Sequence, residues 1–168
     1  MREQKDIKMK KINISWAKVD KMVENICVNN KLEDYNISKI VGISRGGLIP
    51  ATLFAKYLNV REIYCFGMKS YCDVNDVPLD SPVVYQDPLK ENPYGIKNEN
   101  ILIVDDISDR GETFENVKSR FETMAAIIGS EGNIYTASLV CKPHTKFQPD
   151  WFDWMTPCKD WIVFPWEN

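Results

Sequence analysis

Histidine is nearly absent: His144 is the only one among 168 residues. The five cysteines (Cys27, Cys65, Cys72, Cys141 and Cys158) contain no CxxC pair. A structural zinc centre needs four nitrogen or sulfur ligands at short spacing, and no stretch supplies them. An odd cysteine count cannot close into disulfides within one chain, so reduced thiols in a cytoplasm are expected. No apolar run approaches the ~20 residues that span a bilayer, and no secretory signal is visible. Positive charge is not in excess: 21 Lys and Arg face 24 Asp and Glu, a net charge of -3. Nothing in that balance asks for a nucleic-acid partner. Only residues 1–12 are locally basic, and so short a stretch reads as a solvated tail. Internal repeats and linkers are absent too. A chain of 168 residues with 44% hydrophobic and 27% charged residues fits one globular domain.

What is present is an alternation of two periods. Val19, Met22, Val23, Ile26 and Cys27 recur at helical spacing behind Ser15, a plausible N-cap. Residues 39–44 form a short aliphatic strand entering Gly46-Gly47, and a second helix follows to about Leu58. Further strands are expected at 62–68, 101–105 and 133–140. A helix over 113–128 carries Phe114, Val117, Phe121, Met124 and Ile128 on one face. Strands alternating with helices predict an α/β fold: an open, mostly parallel twisted sheet with helices on both faces. Residues 70–100 hold four prolines and little periodicity, which reads as one long functional loop. Residues 141–168 are rich in tryptophan and proline.

Most of the chemistry lies in Ile101-Leu-Ile-Val-Asp105-Asp106-Ile-Ser108-Asp109-Arg110-Gly111-Glu112-Thr113. A buried strand delivers its carboxyl end to the crevice where open α/β sheets bind ligands. Adjacent acids at that rim can accept from hydroxyls or hold a metal. Gly111 permits a tight turn into a helix beginning near Thr113. Such a turn aims backbone N–H groups and a positive dipole end at one point, which suits phosphate. An Asp pair alone would be an acidic turn; the ordered run of strand, acids, Gly and Thr favours a site. A second strand–turn–helix start, Ser44-Arg45-Gly46-Gly47-Leu48-Ile49-Pro50, adds an arginine fork suited to a diphosphate.

The 101–113 run resembles the fingerprint of type I phosphoribosyltransferases, in which four aliphatics and two acids precede Asp-Thr-Gly-x-Thr. The resemblance implies that Asp105 and Asp106 serve the ribose hydroxyls and a magnesium-bound phosphoribosyl pyrophosphate, so that Mg2+ is the expected cofactor. Ser108, Asp109, Arg110, Gly111, Glu112 and Thr113 would wrap the 5-phosphate, and Asp109 would take a proton from N7 of the base. Arg110 stands where the family usually has Thr. Ser44, Arg45 and Gly46 match the family's pyrophosphate loop, whose bond corresponding to Ser44–Arg45 is often cis. Lys69 would join the donor site, and Ser70-Tyr71 match a pair in a mobile loop, here about 70–98, that closes over the reacting centre.

Lys142-Pro143 after a strand, together with Trp161-Ile162-Val163-Phe164-Pro165-Trp166-Glu167, narrows the resemblance to bacterial xanthine-guanine phosphoribosyltransferases. It covers the chain from about Asn13, so residues 13–168 would form one domain with a small hood and a base-binding segment over about 141–168. Trp161 would stack on a purine, Lys142 would donate to its 6-oxygen, and the backbone at Ile162 would read the 2-position. Val163 replaces an acid of that group. The implied activity is purine salvage from a 6-oxopurine in a homodimer or homotetramer. A regulatory protein that binds the donor, or an enzyme for another nucleobase, are the rivals.

Overall fold

The computed structural model describes residues 10–71, 78–157 and 160–167. The basic stretch 1–9, Cys72 and Cys158 lie outside the described residues. In chain order the elements are β1 (Lys11–Asn13), α1 (Trp16–Asn29), β2 (Lys39–Ser44), α2 (Leu48–Leu58), β3 (Glu62–Tyr71), β4 (Pro78–Gln86), α3 (Pro88–Glu91), β5 (Ile101–Ser108), α4 (Glu112–Ile128), β6 (Ile134–Cys141), β7 (Trp151–Met155) and β8 (Trp161–Val163). Six strands form one sheet in the order β4-β3-β2-β5-β6-β7, parallel except for β4. β1 and β8 make a separate parallel pair. Among the described residues no helix is long and apolar enough to cross a membrane.

Strand period two sorts the core into two layers. Leu102 and Val104 of β5 join α1, α2 and the carboxyl-terminal Ile162 and Phe164 on one face. Ile101 and Ile103 join Phe114, Val117, Phe121 and Ala125 of α4 on the other. Central strands buried on both sides read as continuous aliphatic runs, which is why β2 and β5 were plain in the sequence. Ser15 accepts a hydrogen bond from the Lys18 N–H at 3.2 Å, so the expected N-cap starts α1.

Three expectations are corrected. The segment 70–98 is not one loop: β3 runs to Tyr71, β4 returns antiparallel, and α3 and a 3-10 turn over Pro93–Ile96 follow. Pro78 and Pro82 hid β4, but it is an edge strand, where a missing N–H can face solvent. Of the tail read over 1–12, Lys11 and Ile12 pair with Trp161 and Ile162. The tryptophan-rich end is not all hood either, because β7 extends the main sheet beside β6. Asp150 fixes that edge, accepting from the Thr136 N–H at 2.8 Å and the Thr136 hydroxyl at 2.7 Å.

Candidate functional site

Parallel strands bring their carboxyl ends to one edge, so the turns after β2, β5 and β6 meet there. After β2 the Ser44–Arg45 peptide bond is cis, Arg45 is exposed, and Gly46-Gly47 lead into α2. These glycines are demanded by close approach. A Cβ on Gly46 would fall on the Asp106 carboxylate, and one on Gly47 would meet the Val104 carbonyl and the Asp105 Cα. The arginine turn and the acid pair are therefore packed against each other.

β5 continues three residues past the strand expected at 101–105, because Ile107 and Ser108 still pair with Val140 and Cys141. The Asp106 N–H donates to Asp105 Oδ1 at 2.9 Å, and the Trp166 indole donates to Asp106 Oδ2 at 3.4 Å. Burial and the neighbouring Asp106 charge push the Asp105 carboxyl well above the usual carboxylate range. Asp106 is pushed up to about 6, first by burial and then by Glu167, against the stabilising indole N–H. Among the described residues neither acid forms an ion pair with a cationic side chain. Two crowded, uncompensated carboxylates invite a cation.

The turn from β5 to α4 hangs on Gly111, whose φ of +87° favours glycine. No side chain caps α4, so first-turn N–H groups of this 17-residue helix stay open to an anion. Thr113 lies half-buried in that first turn, while Asp109, Arg110 and Glu112 are exposed. Ser108 departs from expectation: it is buried, bonded to Thr145 Oγ1 at 3.0 Å and to the Phe147 carbonyl at 2.8 Å. Its hydroxyl fastens the turn to the segment after β6 and is not presented to a ligand.

The base-side residues also assemble. Lys142 is buried, its N–H bonds to the Ser108 carbonyl at 2.9 Å, and its ammonium donates to the Pro157 and Asp160 carbonyls. The next residue, Trp161, is 62% exposed and starts β8, whereas Ile162 is buried. The Trp161 N–H bonds to the Lys10 carbonyl at 2.8 Å. Lys69 lies on β3 opposite Val83. Ser70 and Tyr71 have strand backbone at the end of β3, and their side chains lie outside the described residues.

Sequence reasoning missed three groups. Tyr85 of β4 hydrogen-bonds Ser44 Oγ across the sheet edge and covers Gly67. The exposed alternation of Val83 and Tyr85 was its only signal. Trp166 stacks on Phe164 at 4.8 Å between ring centres and reaches Asp106 from 60 residues away. His144 lies 2.8 Å from Asp109 across two turns, a proximity no local pattern encodes.

The sequence matches the phosphoribosyl transferase domain family over residues 8–167. The xanthine-guanine phosphoribosyltransferase of Cereibacter sphaeroides is 30% identical over 128 residues, which are 76% of this chain and 68% of that protein. The structure resembles the purine phosphoribosyltransferase from Pyrococcus horikoshii Ot3 with a TM-score of 0.74 at 31% identity, over 95% of this chain and 96% of that one. The Helicobacter pylori xanthine-guanine-hypoxanthine phosphoribosyltransferase shares the fold, with a TM-score of 0.74 at 22% identity and 94% of each chain covered.

Proposed function

The chain belongs to the phosphoribosyl transferase domain family, and from that premise we propose that it is a purine phosphoribosyltransferase. It would join phosphoribosyl pyrophosphate to a 6-oxopurine (guanine, xanthine or hypoxanthine), giving a nucleoside 5′-monophosphate and pyrophosphate. The observation that carries this reading is the contact between two turns: the arginine turn after β2 lies against the acid pair that ends β5. A diphosphate and a ribose joined to each other need those two surfaces side by side.

Each residue then has a place. The open N–H groups of α4, with Gly111 and Thr113, hold the 5-phosphate. Arg45 neutralises charge on the departing pyrophosphate. Asp105 and Asp106 accept from the ribose hydroxyls. They also fit magnesium, which takes one or two carboxylates plus substrate oxygens, and no cationic side chain competes for them among the described residues. When bound there, magnesium would polarise the pyrophosphate oxygens. As the anomeric C–O bond breaks and the bond to the purine nitrogen forms, Asp109 takes the N7 proton. Trp161 supplies an open ring face for the base, and Lys142, with donors only, selects an oxygen at position 6. Held together in a closed site, the two reactants gain an effective molarity that can reach roughly 10⁵ M or more. A homodimer or homotetramer in the cytoplasm is part of the proposal, and light scattering reads the oligomer directly.

Pyrophosphate release measured with magnesium, phosphoribosyl pyrophosphate and a panel of guanine, xanthine, hypoxanthine, adenine and uracil tests the reading. Turnover confined to 6-oxopurines supports it. Equal activity on adenine, or turnover of uracil alone, refutes the assignment of the base site. Donor binding without turnover on any base would indicate a regulatory protein.

A further inference from the structure

The only histidine of the chain sits in the turn after β6, and its Nε2 lies 2.8 Å from Asp109 Oδ1 in the turn after β5. Both turns are rigidly joined: the Lys142 N–H bonds to the Ser108 carbonyl at 2.9 Å and the Lys146 N–H to the Arg110 carbonyl at 3.0 Å. Ser108 Oγ bonds to Thr145 Oγ1 at 3.0 Å between them. The pair, with side chains 42% and 57% exposed, therefore bridges two turns whose backbones are held to each other. A carboxylate has no hydrogen to give, so the hydrogen of the contact is on Nε2. One carboxylate oxygen is thereby occupied and the other left free.

We infer that His144 is a positioning residue for Asp109. In its neutral form it donates from Nε2 to Oδ1, fixes the carboxylate plane and leaves Oδ2 to take the N7 proton. His144 keeps its own proton throughout, so the proton lost by the purine ends on Asp109. The other charged groups on these two turns and the first turn of α4 are Arg110, Glu112, Glu115 and Lys146, all exposed. Lys142 is held by the backbone carbonyls of Pro157 and Asp160. The inference rests on the proposed transferase reading and adds to it a residue outside the phosphate and base contacts.

The test is kcat and KM between about pH 5.5 and 8.5 for the parent, His144→Gln, His144→Ala and Asp109→Asn. Glutamine keeps a neutral N–H donor without titrating. Expected at pH 7.5 is a kcat about tenfold lower in His144→Ala, the scale of one charge-assisted hydrogen bond, with KM for phosphoribosyl pyrophosphate unchanged. His144→Gln should stay within about threefold of the parent. Rescue by His144→Gln, together with the split between kcat and KM, is the readout. As a measure independent of turnover, the ring nitrogen resonances of this single histidine should move in Asp109→Asn and stay put in Arg110→Ala. A parent active on 6-oxopurines whose His144→Ala variant has the same kcat overturns the inference alone. A parent inactive on every base removes the transferase reading and this inference with it.

Discussion

At the scale of single residues, the acid pair sets stability against function. The Asp106 carboxyl is held at about 6 instead of the usual 3.8, chiefly by burial. As pH rises, the unfolded chain releases this proton from about pH 4 but the folded one only near 6. The fold therefore loses stability across that window, and the loss is complete above it. Asp106→Asn should then raise the urea midpoint of the ligand-free protein at pH 7, by on the order of 1 kcal/mol after allowance for solvent screening. At pH 4.5 the gain should largely vanish, and magnesium-dependent donor binding should be lost at both pH values. An unchanged midpoint at pH 7 would contradict the strain assigned to the pair. Lys142→Met keeps the buried stem but removes its donors. Guanine-over-adenine selectivity in kcat/KM should fall on the order of 10²-fold. Thermal melting should accompany that measurement, because Lys142 also ties down the Pro157 and Asp160 carbonyls.

At the scale of elements, the turn between β5 and α4 rests on its glycine. Gly111 combines a φ of +87° with contact against Phe147 and Thr145. Gly111→Ala should cost about 2 kcal/mol, hence roughly 5 °C in Tm, and weaken donor binding at least tenfold. Arg110, one residue earlier, is exposed, and its carbonyl is held by the Lys146 N–H. Arg110→Thr should leave donor affinity equal or a few-fold better, since one neutral hydrogen bond is worth about 1 kcal/mol. Calorimetry showing tenfold losses in both Arg110→Thr and Arg110→Ala would make Arg110 a phosphate ligand. These turns were legible because a strand, an acid pair and a glycine before a helix are local signals. β4 and β7 were not: β4 carries prolines that an edge tolerates, and β7 is a short aromatic run of only five residues without an aliphatic core pattern.

At the scale of the whole molecule, β1 and β8 join the beginning of the described chain to its end. This pair holds the Trp161 backbone through the Lys10 carbonyl, while the turns after β2 and β5 depend on the main sheet. Deleting residues 1–13 should therefore raise KM for the purine about tenfold and leave that for phosphoribosyl pyrophosphate within about twofold. Equal increases in both would show that the strand pair supports the entire site.

By itself the sequence determined which residues carry charge, which segments are apolar with period two or 3.6, and where glycine permits a turn. Those are properties of neighbours along the chain, and they were enough for β2, β3, β5 and β6, for the long helices α1, α2 and α4, and for the turns after β2 and β5. Only the tertiary structure decided that Tyr85 meets Ser44, that Trp166 reaches Asp106 and that His144 meets Asp109. It also decided that Ser108 is spent on Thr145 and Phe147. Each of these contacts joins residues more than 30 positions apart: parallel strands bring the turns after β5 and β6 together, antiparallel β4 brings Tyr85 to Ser44, and the segment after β8 brings Trp166 to Asp106. No pattern confined to a window of sequence encodes such a meeting, because register and crossover fix it.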